Sequence, residues 1–259
     1  MRRFHPSPAR LQPTAFTLIE LLVVIAIIGI LTGVALPIVG SIQNTGKKTQ
    51  SLSNMKQLGT AMLLYCGEHD GKLPGEGEDA PTWSKVANAE SDTNNQAWYN
   101  VLPRLGGFPA AADFANDKAG FYSKRNLLYV PAAAYPASKL NAPLFAVSLC
   151  SKLMSKETTL ETLRLHNFPQ PARTVLFQES GLPGEKKIVN AQTSYNGQTK
   201  SFASRSVARY AGKTVVICAD GHADSLAGTD IVATSGKAYY PQSLGRVNWT
   251  VDPAANAND

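Results

Sequence analysis

The sequence predicts an α+β protein: one long N-terminal helix, its first half suited to a lipid bilayer and its second half amphipathic, packed on a C-terminal antiparallel β-sheet. Three observations carry this expectation. From Leu21 to Gly46 no residue is charged. Beyond Ile42, the residues Leu52, Met55, Leu58, Met62 and Tyr65 recur at spacings of three and four, which places them on one stripe of a helix. In the last third, Thr174 to Gln178 and Thr214 to Cys218 are short β-branched runs, and Asp220-Gly221 follows the second at once. Asp-Gly is a preferred two-residue hairpin turn because Gly accepts positive φ.

These signals divide the chain into a leader over residues 1–15, a long helix over 16–66 and a globular domain over 67–259. The leader carries Arg2, Arg3 and Arg10, with Pro6, Pro8 and Pro13 between and beyond them. The prolines keep it out of a helix. Positive residues flanking an apolar helix stay cytoplasmic, so the globular part is expected on the far side of the membrane. Roughly 20 apolar residues suffice to cross a hydrocarbon core of about 30 Å, and the segment from about 18 to 42 meets that requirement. Within it Pro37 predicts a kink, because its ring crowds the carbonyl one turn back and it donates no hydrogen bond. Gly29, Gly33 and Gly40 leave room for neighbouring helices to approach. From Phe16 to Tyr65 the helix would be about 75 Å long.

An acid stands at the start of the apolar run. Glu20 at a membrane boundary is costly unless it reaches the headgroup region or meets an opposite charge. It is either a helix-end glutamate at the water interface or a functional carboxylate.

Phe16-Thr17-Leu18-Ile19-Glu20 and the apolar run after it resemble the N-terminal signature of type IV pilins and of the pseudopilins of type II secretion systems. The resemblance implies a pilin-like fold in the bacterial inner membrane. It further implies cleavage between Ala15 and Phe16 by a prepilin peptidase and N-methylation of Phe16 by the same enzyme. Ala15 stands where that family usually has Gly, and Pro37 falls where its members commonly carry Pro. Partners implied are the peptidase, membrane lipid and other pilin or pseudopilin subunits in a filament. Glu20 would then meet the freed amine of a neighbouring subunit, an ion pair worth far more in a low dielectric than in water.

A second resemblance covers Gln50 to Tyr65, Asp70-Gly71-Lys72-Leu73-Pro74 and the C-terminal Asp220-Gly221. It points to the prepilin-like branch whose motif is a His, nine residues, then Asp-Gly. Counting back from Asp220 gives Tyr210 in place of the His. Ser51 sits where many of those relatives have Cys.

The remaining segments follow in order. Glu68 to Gly71 reads as the end of the helix, with Gly67 or Gly71 as the stop and Pro74 beyond. Residues 75–95 are a polar loop anchored by Trp83. Trp98 to Pro103 supplies an aromatic core segment, and residues 104–145 an irregular insertion. A short helix is expected within 144–165, above all at 156–164. Ile231-Val232 and Arg246 to Val251 look strand-like, ahead of a frayed tail.

Composition narrows the function. From Phe16 onward 22 Lys and Arg face 19 Asp and Glu, too small an excess for a nucleic-acid surface. Cys66, Cys150 and Cys218 are too few and too scattered for a disulfide framework or a zinc site; in an oxidising compartment one pair could bridge and leave an odd thiol, and the sequence does not choose the pair. There is no HExxH, no GxSxG and no phosphate loop, so catalysis, cofactor and metal are not expected. Acidic groups at Glu76, Glu78 and Asp79, or at Asp220 and Asp224, lack the alternation of a calcium loop. The rival readings are a hydrolase anchored in the membrane, and an ordinary signal peptide cut after Gly33-Val34-Ala35 that releases a soluble protein from Leu36. The latter leaves Glu20 and the Phe16 signature unexplained.

Overall fold

A computed structural model describes residues 17–88, 96–136, 141–151, 153, 163–185, 197–201, 203–227, 230 and 246–251. Two compact units are present, Met1–Gln43 and Asn44–Asp259, and helix α1, Leu18–Glu68, contributes to both. The leader, Ala15, Phe16, Ile231-Val232 and most of the segment expected to be helical at 156–164 lie outside the described residues. Position 37 is helical; the Pro37 side chain is outside the description.

In the first unit every described side chain of α1 from Leu18 to Gln43 is exposed. In the second unit the amphipathic period is realised. Met55, Leu58, Ala61, Met62, Tyr65 and Cys66 are buried, while Ser53, Lys56, Gln57 and Thr60 face solvent. The helix ends where the sequence placed its stop. Asp70 and Gly71 take left-handed φ of 56° and 75°, and the Gly71 amide donates to the Cys66 carbonyl at 2.7 Å, closing the last turn. Gly67 remains inside the helix.

Short helices follow: α2 (Trp83–Ala87), α3 (Trp98–Leu105), a 3₁₀ turn at Ala111–Phe114 and α4 (Lys118–Phe121). Thr82 caps α2 and Asp117 caps α4 through side-chain oxygens that accept backbone amides. The described residues of the insertion at 104–145 are thus built from one-turn pieces held by aromatic contacts. Phe121 meets Trp83, Phe114 and Phe145 edge-on at 5.3, 5.9 and 5.4 Å. Trp98 is fully buried, 4.9 Å from Phe177 of the sheet.

The sheet contains β1 (Val147–Cys150), β2 (Val175–Glu179), β3 (Lys200–Ser201), β4 (Lys213–Cys218) and β5 (Ala223–Ala227), in the order β3-β1-β2-β4-β5. Ser148 pairs with Gln178, Gln178 with Val216 and Val215 with Ser225, all antiparallel. The β1–β3 pair is parallel, with Leu149 opposite Lys200. The sheet is therefore mostly antiparallel, as expected, with one parallel edge.

Two local expectations are corrected. Of the stretch 144–165, in which a short helix was expected above all at 156–164, residues 154–162 lie outside the described residues, and Val147–Cys150 is strand. All four of its residues are buried, because it is an inner strand covered on both faces, and Ser148 hides its hydroxyl against Ser201. The β4–β5 turn is not a two-residue Asp-Gly turn. The Gly221 amide donates to Cys218 O at 2.9 Å, the Cys218 amide to His222 O at 2.9 Å, and of the loop residues Gly221 alone has positive φ, at 83°. That is a three-residue loop with a glycine bulge. A two-residue primed turn does exist one strand earlier. Tyr210 and Lys213 exchange both backbone hydrogen bonds, at 3.0 and 3.1 Å, around Ala211 and Gly212 at φ 51° and 81°. The strand-like Arg246 to Val251 forms no strand among the described residues; Val247 and Asn248 make isolated bridges, the latter parallel beside Thr174.

Candidate functional site

Two places concentrate the features singled out in the sequence. The first is the start of α1. Thr17 Oγ1 donates to Glu20 Oε2 at 2.7 Å, the Thr17 amide donates to the same oxygen at 2.9 Å, and Thr17 Oγ1 accepts the Glu20 amide at 3.3 Å. This is a capping box, in which the first-turn acid satisfies a backbone donor the helix leaves free. The Glu20 carboxylate is thus held over the N-terminal end of the helix, turned toward the backbone that precedes Leu18. Beyond it the apolar side chains Leu18 to Ile42 are about half exposed or more. A contiguous apolar surface of this kind marks a membrane or protein contact, and α1 is long and apolar enough to cross a membrane.

The second place is a buried polar cluster in the domain, which the sequence did not reveal as a unit. Glu179 ends β2 with its side chain fully buried. Ser51 of α1 and Tyr210 both donate hydroxyl hydrogens to its Oε1, the latter at 3.0 Å, and Arg209 Nη1 donates to Oε2 at 3.1 Å. Arg209 also holds Glu185 through Nη2 at 2.6 Å and Nε at 3.0 Å, and it donates to Ser180 O at 2.7 Å. Glu185 in turn accepts the amides of Leu182 and Ala134. One guanidinium therefore serves two carboxylates. Burial pushes the Glu179 carboxyl above the usual range, against the opposing pull of Arg209 and the two hydroxyls. At Glu185 burial also acts upward, but the Arg209 hydrogen bonds and charge outweigh it and hold the group below that range.

Tyr210, Asp220 and Gly221 are not brought together. They lie at opposite ends of β4, whose six residues span about 20 Å. Tyr210 enters the buried cluster. Asp220 stays in the turn, where Oδ1 accepts the His222 amide at 3.1 Å and meets its Nδ1 at 2.5 Å. His222 is exposed. Gly221 lies against α1: a Cβ at Gly59 would sit 2.2 Å from Gly221 O.

The acidic loop considered for calcium is occupied by lysines. Lys200 Nζ lies 2.6 Å from Glu76 and 3.0 Å from Asp79, and Lys85 lies 2.7 Å from Glu78. Among the described residues no group of three or more His, Cys, Asp or Glu is placed to hold a metal. A cleft of about 150 Å³ beside α3 is lined by Val86, Ala87, Asn88, Asn100, Arg104, Ala112 and Asp113, a set without Ser, Cys or His to supply a nucleophile or its base. All three cysteines are buried and unbridged. Burial pushes the Cys66 thiol up to about 11 and the Cys218 thiol to about 12.

Comparison with known proteins fits the first of these places. Residues 14–36 match the prokaryotic N-terminal methylation motif, so the N-terminal segment is similar to that class of helix start. The chain is also similar to the type IV major pilin protein PilA of Myxococcus xanthus (strain DK1622), 40% identical over 68 residues. That alignment covers 26% of this chain and 29% of the relative. No solved structure matches the chain.

Proposed function

We propose that this chain is a structural subunit of a type IV pilus-like filament or type II secretion pseudopilus, not an enzyme. The observation that carries the reading is the joining of the methylation motif to a capped helix start, with an acid in its first turn and a wholly exposed apolar face behind it. In this reading prepilin peptidase cuts between Ala15 and Phe16 and methylates Phe16. The segment from about 18 to 42 then sits in the inner membrane, with the N-terminus cytoplasmic and the domain on the far side.

Assembly follows from the same residues. The apolar halves of neighbouring subunits leave the bilayer and bundle, which keeps their surface away from water. Glu20 exchanges its local capping donors for the amine of the next subunit, and either charge left alone in that dry core is penalised. The domains coat the outside.

Mass spectrometry of the mature N-terminus tests the proposal. The expected product starts at Phe16 with one added methyl group, and Glu20→Ala is cleaved normally but does not enter filaments. A product starting at Leu36, or one that keeps Met1 in cells with an active peptidase, overturns it.

A further inference from the structure

Ser51 is the first buried side chain on α1 counted from Leu18 among those described. Every described residue before it is exposed or half-exposed. Ser51 is also where the helix first bonds to the sheet, through Glu179. One turn on, Asn54 Nδ2 donates to Tyr129 O of the insertion at 3.0 Å. Ser51 thus joins the first buried position of α1 to a buried carboxylate of the sheet.

The same carboxylate oxygen takes the Tyr210 hydroxyl. Positions 51 and 210 lie far apart in the chain and belong to two separate stretches of resemblance, yet the fold places both on Glu179 Oε1. We propose that Ser51 and Tyr210 act as one two-donor clamp on Glu179, which fixes where along its length α1 leaves the domain, and that position 210 is a donor position that a histidine would also serve.

Charge supports the second half of the proposal. The groups facing Glu179 are Ser51 from α1, Arg209 and Tyr210 from the turn before β4, and, through Arg209, Glu185 and Tyr135. Two carboxylates share one guanidinium, so the cluster holds one more potential anion than cations. A hydroxyl at 210 donates a hydrogen bond without adding charge. An imidazolium there would donate and also balance the cluster, at the position where the resembled motif carries His. Tyr210 is accordingly a positioning residue that acts on the helix through Glu179. The claim does not rest on the filament reading, and its test does not depend on processing or assembly.

The test is hydrogen exchange and thermal unfolding of the full chain in detergent micelles, for Ser51→Ala, Tyr210→Phe and Tyr210→His. Ser51→Ala and Tyr210→Phe each remove one donor to a buried acceptor. Each is expected to speed exchange of amides 48–55 by about tenfold, with β4 and β5 amides left as protected as in the native chain. Tyr210→His is expected to restore slow exchange at pH 6 and to lose it as the pH rises. The sign follows from linkage: an imidazole raised by a carboxylate partner adds stability that is complete below its ordinary value of about 6.5 and is lost as the pH passes the raised value. Tyr210→Phe should show no such pH step. The clamp is refuted if amides 48–55 are unaffected, if protection falls evenly over the whole domain, or if Tyr210→His behaves like Tyr210→Phe at every pH.

Discussion

Replacing Gly59 by Ala tests the packing of α1 on the β4–β5 turn. An added Cβ would lie 2.2 Å from Gly221 O and 3.1 Å from Ile217 Cγ2, whereas a carbon and a carbonyl oxygen rest at about 3.3–3.6 Å. The helix and the turn must separate by about 1 Å to admit it, and the obstacle is backbone, which does not swing aside. Overpacking of this kind costs about 1–3 kcal/mol. Alanine returns about 1 kcal/mol in helix propensity. With a rigid obstacle the cost sits at the upper end, for a net loss of about 2 kcal/mol. In a domain of this size that lowers Tm by about 4–8 °C. Gly46 and Gly67 of the same helix supply the control, since a Cβ at either meets nothing within 4 Å. Gly46→Ala and Gly67→Ala should be neutral or stabilising by up to about 1 kcal/mol. The assay is near-ultraviolet circular dichroism melting of the full chain in detergent. A Gly59→Ala protein as stable as Gly46→Ala would refute the close contact and the placement of the turn on α1.

Three further outcomes follow from the buried groups. Arg209→Met strands the carboxylates of Glu179 and Glu185 without their shared cation, and the urea midpoint should fall by the equivalent of about 3–5 kcal/mol; a loss below about 1 kcal/mol would mean that the cluster is solvated. Because the Glu185 carboxyl is held below its ordinary value, the stability it contributes is complete above about 4.5 and is lost as pH falls through its folded value. Glu185→Gln should therefore be less stable than the native chain at pH 7 but flatter below pH ~4.5, as read from denaturation midpoints across that range. With thiols raised to about 11 and 12, alkylation of Cys66 and Cys218 at pH 8 should run at least about 100-fold slower in the folded chain than in urea; fast labelling of either when folded would contradict its burial.

The long helix was legible because its two halves obey simple solvent rules. An uncharged run of that length suits a lipid bilayer, and a stripe at spacings of three and four needs a core. Its stop was legible from Gly71, and β2 and β4 from their β-branched runs. What sequence hid was the consequence of pairing. Val147–Cys150 has no alternating pattern because both faces are covered, and Lys200–Ser201 is too short to leave a pattern. Glu179, Arg209 and Glu185 look like ordinary surface residues until the chain brings them together out of water. Tyr210 read as a departure from a motif, whereas in space it is a donor to a carboxylate that no local pattern marks. The Asp-Gly turn was placed correctly and typed wrongly, since its loop length depends on how β4 and β5 register.

The described residues between Trp98 and Phe145 form only short helices and turns, yet their rings interlock with one another and with the sheet. Asn126 adds to this from a fully covered position, donating to Phe121 O at 2.8 Å and accepting the Leu128 amide at 2.9 Å. A surface supported in this way behaves as a cast shape. Whatever meets it must match a contour already set, and new side chains can be tried on its outer face while the rings beneath keep the mould.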